Sequence, residues 1–217
     1  MERIKRNKVN LIISAVLILT PILIGLLLWD RLPESIPTHF NFKGEADQYS
    51  SKTFTVFFLP LLMLVFQGMM VLGTSMDPKG KRISDKVFNM VLYIVPVVSL
   101  FVSTTIYLKA INYDIDITRI TMWFVSLVFI ITGNYLPKTR QNYTIGFKFP
   151  WTLEDPENWD KTNRLGGYLM MAAGILIFIS TFISNKTMVT VMMVSSFIAV
   201  TVPVVYSFMI YKNKTAK

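Results

Sequence analysis

The chain contains no cysteine and a single histidine, His39. Disulfides and thiolate metal sites are therefore excluded, and one imidazole with no second nitrogen or thiolate ligand makes a poor zinc site. Glu45 and Asp47 lie close to His39 in sequence, so a metal or acid–base pair can be drawn, but hydrogen bonding within its own loop is the plainer use of that ring. G-x-S-x-G, H-E-x-x-H and phosphate-binding glycine loops are all missing, which argues against an enzyme. Charge is scarce as well. Only 16% of the residues are Asp, Glu, Lys or Arg, and no ionisable group falls near the middle of any long apolar run. Pumps and proton relays depend on such groups at mid-membrane, so secondary transport is not expected, and no metal or cofactor is called for.

What the chain has instead is apolar length. Of its 217 residues 53% are hydrophobic, and the mean hydropathy is +0.49. Six stretches approach the roughly 20 apolar residues a helix needs to cross a bilayer: 9–29, 54–73, 87–108, 117–136, 165–183 and 188–211. These runs are continuous rather than alternating, and each is about twice the length of a barrel strand, so closed barrels do not fit. The expected fold is an all-α integral membrane protein with six transmembrane helices in a cell membrane. The basic start MERIKRNKVN followed by residues 9–29 lacks a small-x-small cleavage site and reads as a retained signal-anchor.

Orientation follows from Lys and Arg. Segments 1–8, 74–86, 137–164 and 212–217 hold 16 of the 22 basic residues, which makes them the cytoplasmic side and places both termini there. Basic inner loops against anionic lipid account for the net charge of +9, so direct nucleic-acid binding is not expected and membrane lipid is the expected contact. Pro21, Pro60, Pro96 and Pro203 fall inside spans, where neighbouring groups must satisfy the carbonyls they free. Gln67, Asn89 and Asn134 are the strongest polar groups in or beside the apolar runs.

Two connections have more character than plain linkers. The outer one, DRLPESIPTHFNFKGEADQYSSKT, has Pro33 and Pro37 to enforce extended or turn geometry, Gly44 for a tight turn, and an alternation over residues 39–42 that suits a short strand. It reads as a small folded external cap. In the inner loop TSMDPKGKRISDK, Asp77, Pro78 and Gly80 form turns, Ser84 caps the next helix, and Lys79, Lys81, Arg82 and Lys86 rest on the membrane surface.

The longest polar interruption of the second half is NYLPKTRQNYTIGFKFPWTLEDPENWDKTNRLGG, residues 134–167. Lys138 and Arg140 stand where phosphate headgroups or an acidic partner would meet them. Ile145, Phe147 and Phe149 alternate with Gly146 and Lys148, as a short interfacial strand or extended segment would. Asp155 and Pro156 start a helix on which Glu157 pairs with Lys161, Asp160 pairs with Arg164, and Trp159 anchors to the interface. Gly166, Gly167, Ala172, Ala173 and Gly174 offer a small-residue surface for close helix approach. Physically the loop is an amphipathic connector that locks the helices or, given two tryptophans and free basic residues, a docking platform.

This run resembles the signature of the SdpI-like family, the Sdp immunity proteins of Gram-positive bacteria. LPESIPTHFNFKGEADQYSSK resembles the small module that precedes the signature in that family. The family pattern falls on Asn134, Pro137, Lys138, Asn142, Gly146, Pro150, Trp151, Thr152, Trp159, Thr162, Arg164 and Gly167. In the first module it falls on Leu32, Pro33, Ile36, Pro37, His39, Gly44 and Asp47. The resemblance implies protection from a secreted killing peptide, and beyond it signalling through recruitment of a cytoplasmic ArsR-type repressor. The implied organisation is an N-terminal module over 1–73, a third span with its connections over 74–116, and the SdpI-like module over 117–217. The competing classes are a small transporter or exporter, and a membrane enzyme acting on lipid or peptide.

Overall fold

The structure is a computed structural model, and it describes residues 2–41, 43–79 and 83–215. Phe42 of the expected alternation, the turn residue Gly80, and Lys81 and Arg82 of the inner loop lie outside the described residues. A hydrocarbon environment leaves a backbone no partner but itself, and each apolar run becomes one helix. Among the described residues six helices are long and apolar enough to cross a membrane: Lys8–Leu27, Phe54–Met76, Asp85–Ala110, Ile117–Lys138, Pro156–Ser180 and Asn185–Thr215. The elements in order are α1 (Glu2–Arg6), α2 (Lys8–Leu27), β1 (Ser35–Phe40), β2 (Ala46–Ser51), a π-helical turn (Phe54–Phe58) leading into α3 (Leu59–Met76), α4 (Asp85–Ala110), α5 (Ile117–Tyr135), α6 (Pro150–Glu154), α7 (Pro156–Ser180) and α8 (Asn185–Thr215). The chain forms two units, Met1–Met76 with Phe88–Ile117, and Asp77–Val87 with Thr118–Lys217.

In the first unit the connection after α2 folds as an antiparallel hairpin of β1 and β2. Its turn is set by Asn41, whose Oδ1 accepts from the backbone N–H groups of Lys43 and Glu45, and by Gly44 at φ 80°. Ile36 points down from β1 into a core of Leu32, Val56, Ile106, Tyr107 and Ala110. β2 carries almost no apolar side chain and is held by backbone pairing and by polar side-chain contacts such as Thr38 with Ser50, so its sequence ADQYSS does not announce a strand. Lys52, buried at the base of the hairpin, pairs with the exposed Glu34 at 2.9 Å and lies over the Trp29 ring at 4.9 Å.

The same unit shows how a membrane helix tolerates proline. Pro96 has no N–H, so the carbonyl of Leu92, four residues earlier on α4, loses its helical donor. The side-chain Nε2 of Gln67 on α3 replaces it at 2.8 Å and donates also to Ser14 Oγ on α2 at 2.8 Å. Near Pro21, the Tyr107 hydroxyl donates to the Pro21 carbonyl at 3.2 Å. Gly25 lies so close to Val56 that a Cβ there would stand 2.7 Å from a Val56 methyl.

In the second unit α5 and α7 cross with their backbones almost touching. A Cβ on Gly167 would lie 2.6 Å from the Gly133 carbonyl oxygen, and one on Gly174, two turns on, 2.7 Å from that of Ser126. The small-residue surface therefore serves close helix approach, the use in which backbone proximity replaces hydrophobic driving force. Trp123 Nε1 donates to Thr181 Oγ1 at 2.9 Å near the end of α7, and Met122, Ile177 and Met188 form the core beside the turn into α8.

Candidate functional site

The loop between α5 and α7 is folded around three buried side-chain hubs rather than extended. Asn142, fully buried, uses both ends of its amide: Nδ2 donates to the carbonyls of Arg140 and Ile145, and Oδ1 accepts from the N–H groups of Thr144 and Ile145. Thr152 closes a capping box on α6. Its Oγ1 accepts from the Phe149 N–H at 2.9 Å and lies 3.0 Å from the Phe147 and Phe149 carbonyls, and Pro150 fills the first helical position. Asn163 reaches back from α7 to accept from the Phe147 N–H at 2.8 Å, while its Nδ2 donates to the Trp159 carbonyl. These bonds shape Phe147 and Ile145 into a bent run. The expected strand is absent because Gly146 takes φ 122°, a left-handed conformation that ends any alternation. A side chain there would also strike Asn163 Oδ1 at 2.6 Å.

Trp159 is not an interfacial anchor. It is fully buried under the loop, and its Nε1 donates to the Thr139 carbonyl at 2.9 Å. The indole fills the space between α7 and the chain leaving α5, where no smaller residue would reach. Trp151 lies instead at the loop's edge toward the end of α8, stacked between Phe149 (5.2 Å) and Tyr211 (5.9 Å), with Nε1 donating to Ser207 Oγ at 3.0 Å. Asn158 Nδ2 donates to the Ser207 carbonyl at 2.9 Å and Thr162 donates to Asn158 Oδ1. Pro137 packs on Gly167, and Asn134 accepts from Lys138 Nζ at 3.0 Å.

Helix α7 begins as expected, with Asp155 Oδ1 accepting from the N–H groups of Glu157 and Asn158, and Glu157 pairing with Lys161 at 2.6 Å. Asp160 does not pair with Arg164, whose Nε turns the other way, one turn on, to the Tyr168 hydroxyl at 3.4 Å. Lys214, near the end of α8, bridges Asp155 and Glu157 at 2.7 Å each. Burial alone would raise the Asp155 carboxyl, but the bonds from Lys214 and from the backbone of Asn158 and Glu157 outweigh it and hold the group below the usual carboxylate range.

The short loop 77–79 is part of the same construction. Asp77 accepts from the Tyr143 N–H at 2.8 Å and the Thr144 hydroxyl at 2.7 Å. Lys79 does not rest on the membrane surface: its ammonium donates to Gln141 Oε1 at 3.0 Å and the Leu153 carbonyl at 2.8 Å. Ser84 does cap α4, accepting from the Val87 N–H at 3.3 Å. Gln141, Asn163, Ser207 and Lys214 were not singled out by the sequence, and the Asp77-Pro78 turn gave no sign that its carboxylate caps a loop more than sixty residues away.

Most of the expected inner-loop residues are thus brought together as the fold of the loop itself. Lys138, Arg140, Tyr143, Lys148, Lys161, Arg164 and Tyr168 are exposed along the loop and the start of α7, together with the acidic Glu154, Glu157 and Asp160. In the hairpin, Pro33 precedes β1, Pro37 sits opposite Tyr49, and His39 Nδ1 faces Asp47 Oδ1 at 2.5 Å, a side-chain partner in place of the loop backbone. Among the described residues no three His, Cys, Asp or Glu side chains stand together as metal ligands.

These features define a mostly helical protein with six candidate membrane spans and two folded polar connections. Residues 138–207 match the model of the SdpI/YfhL protein family, and residues 16–64 match a domain of unknown function, DUF1648. The chain is 27% identical over 206 residues to the immunity protein SdpI of Bacillus subtilis (strain 168), covering 93% of this chain and 96% of that protein, and is its distant homologue. No solved structure matches. The first match runs from α2 through the hairpin into α3. The second begins at Lys138 and ends at Ser207, the residue that Trp151 and Asn158 hold.

Proposed function

We propose that this chain is a multi-pass membrane immunity protein that protects its cell from a secreted killing peptide. The hairpin faces outward, and the loop 134–167 and both termini face the cytoplasm. The observation that carries this reading is the similarity to an immunity protein over nearly the whole of both chains. The distribution of basic residues supports the orientation. A second role, recruitment of a cytoplasmic ArsR-type repressor, is favoured by the exposed Lys138, Arg140, Lys148 and Arg164 on a loop whose shape is fixed by its own hydrogen bonds. Such a rigid basic surface suits an acidic protein face, because little ordering entropy is lost on docking.

The test is survival of a peptide-sensitive Gram-positive strain expressing the chain, beside a Lys138→Ala, Arg140→Ala, Arg164→Ala variant matched for membrane level. Protection by the wild type is expected. If the variant also protects but no longer holds a co-expressed repressor at the membrane, the two roles separate as proposed. Failure of the wild type at normal membrane levels would remove the immunity reading.

A further inference from the structure

The helices of the first unit carry a row of polar side chains inside apolar runs. Asn10 and Ser14 stand one turn apart on α2, Asn89 and Tyr93 one turn apart on α4, and Gln67 reaches in from α3. Most of these groups are tied: Gln67 Nε2 to Ser14 Oγ and the Leu92 carbonyl, and the Tyr93 hydroxyl to Asn10 Oδ1 at 3.4 Å. Two acceptors remain. Gln67 Oε1 and Asn89 Oδ1 are shielded from solvent and have no hydrogen-bond partner among the described residues, and Gln67 is only 4% exposed. Turning the Gln67 amide over does not help. The Leu92 carbonyl can only accept, so the NH2 must face it and Oε1 must face away.

We propose that these two acceptors mark a membrane-embedded water site beside the Pro96 break. Buried polar groups that protein cannot satisfy are satisfied by ordered water, which is costly to remove. Asn89 lies three residues, about one turn, before Leu92 on α4, the residue whose carbonyl Gln67 holds. Water fits this chemistry because both unpaired atoms are acceptors and one water supplies two donors. An anion would face two acceptor oxygens that repel it, and a hard cation would need a fuller shell of oxygen ligands. A water at this point also lets the Leu92 carbonyl exchange Gln67 for solvent, so α4 can flex at Pro96 without exposing a bare carbonyl.

The experiment is water-edited solid-state NMR on the full chain in phospholipid bilayers, with labelled glutamine, asparagine and isoleucine. Polarisation from water should reach the Gln67 side-chain amide nearly as fast as that of Gln48, which is exposed on β2, and several-fold faster than the methyls of the fully buried Ile18. A build-up at Gln67 closer to that of Ile18 would overturn the proposal. This comparison needs no variant. In an Asn89→Leu chain the transfer to Gln67 should slow several-fold, and an unchanged rate in a folded variant would refute a site shared by the two residues.

Discussion

Gln67 and Leu92 belong to different helices, yet the side-chain amide of one supplies the hydrogen bond that Pro96 takes from the backbone carbonyl of the other, at 2.8 Å. Gln67→Leu should therefore destabilise the protein by about 1–3 kcal/mol, because it leaves the buried Leu92 carbonyl only the long 3.4 Å bond from Ser14 Oγ. Adding Pro96→Ala returns an N–H to Leu92, so the double variant should regain much of the loss in thermal unfolding of the purified protein. A double variant less stable than Gln67→Leu alone would show that the cross-helix bond is not the cause.

Trp159→Ala should be among the most damaging single changes in the loop. It empties the space of a fully buried indole and orphans the Thr139 carbonyl, a loss on the order of 3–5 kcal/mol for a buried Trp. Arg140→Ala, on the exposed face of the same loop, should stay within about 0.5 kcal/mol. Melting temperature and membrane yield of the two variants, measured side by side, decide this.

Glycine substitutions should have opposite signs on different helices. Gly174→Ala puts a methyl 2.7 Å from the Ser126 carbonyl oxygen. It should force α5 and α7 apart at a cost of about 1–3 kcal/mol. Gly68→Ala on α3 meets nothing within 4 Å. It should stabilise by up to about 1 kcal/mol through helix propensity. Thermal unfolding of the two variants reads the contrast directly.

The end of α8 should release in acid. Asp155 titrates below its ordinary value near 3.8 in the folded protein, so its contribution is complete above that value and is lost as the pH falls through the lower folded one. Trp151 stacks on Tyr211, and the fluorescence difference between the chain and its Trp151→Phe variant reports the docking of α8. That signal should hold through neutral and mildly acidic pH. Lys214→Met should move its loss to higher pH by removing the main group that holds the carboxylate charged. An unshifted transition would show that Lys214 does not control Asp155.

Because the chain has no cysteine, single-cysteine labelling tests the orientation without background. A membrane-impermeant maleimide should label Glu45→Cys in intact cells and Arg140→Cys only after permeabilisation. The reverse pattern would overturn the proposed topology.

The sequence was a good guide where physics is local. Apolar length alone gave the six helices, because a chain in hydrocarbon has no alternative use for such runs. The start of α7 was legible in Asp155-Pro156, the cap of α4 in Ser84, and the hairpin turn in Gly44, since capping and turn geometry are fixed within a few residues. The loop's interior was not legible. Its alternating Ile145, Phe147 and Phe149 suggested a strand, but Gly146 and the side chains of Asn142 and Asn163 bend it, and Asn163 acts from sixteen residues away. Trp159 and Trp151 both suit an interface by composition. Only the arrangement of α5, α7 and α8 decided that the first is core and the second an edge residue held by Ser207.

The sequence by itself determined that this is a protein of apolar helices carrying two structured polar connections, and its motifs pointed to the family whose model residues 138–207 match. The tertiary structure alone decided which polar residues are used up in building those connections and which remain on the surface. Asp77, Lys79 and Lys214 look no different in sequence from the exposed surface charge Arg140. The first three have their charges engaged across contacts of more than fifty residues, through partners no local pattern encodes, because a hydrogen bond depends on distance in space and not along the chain.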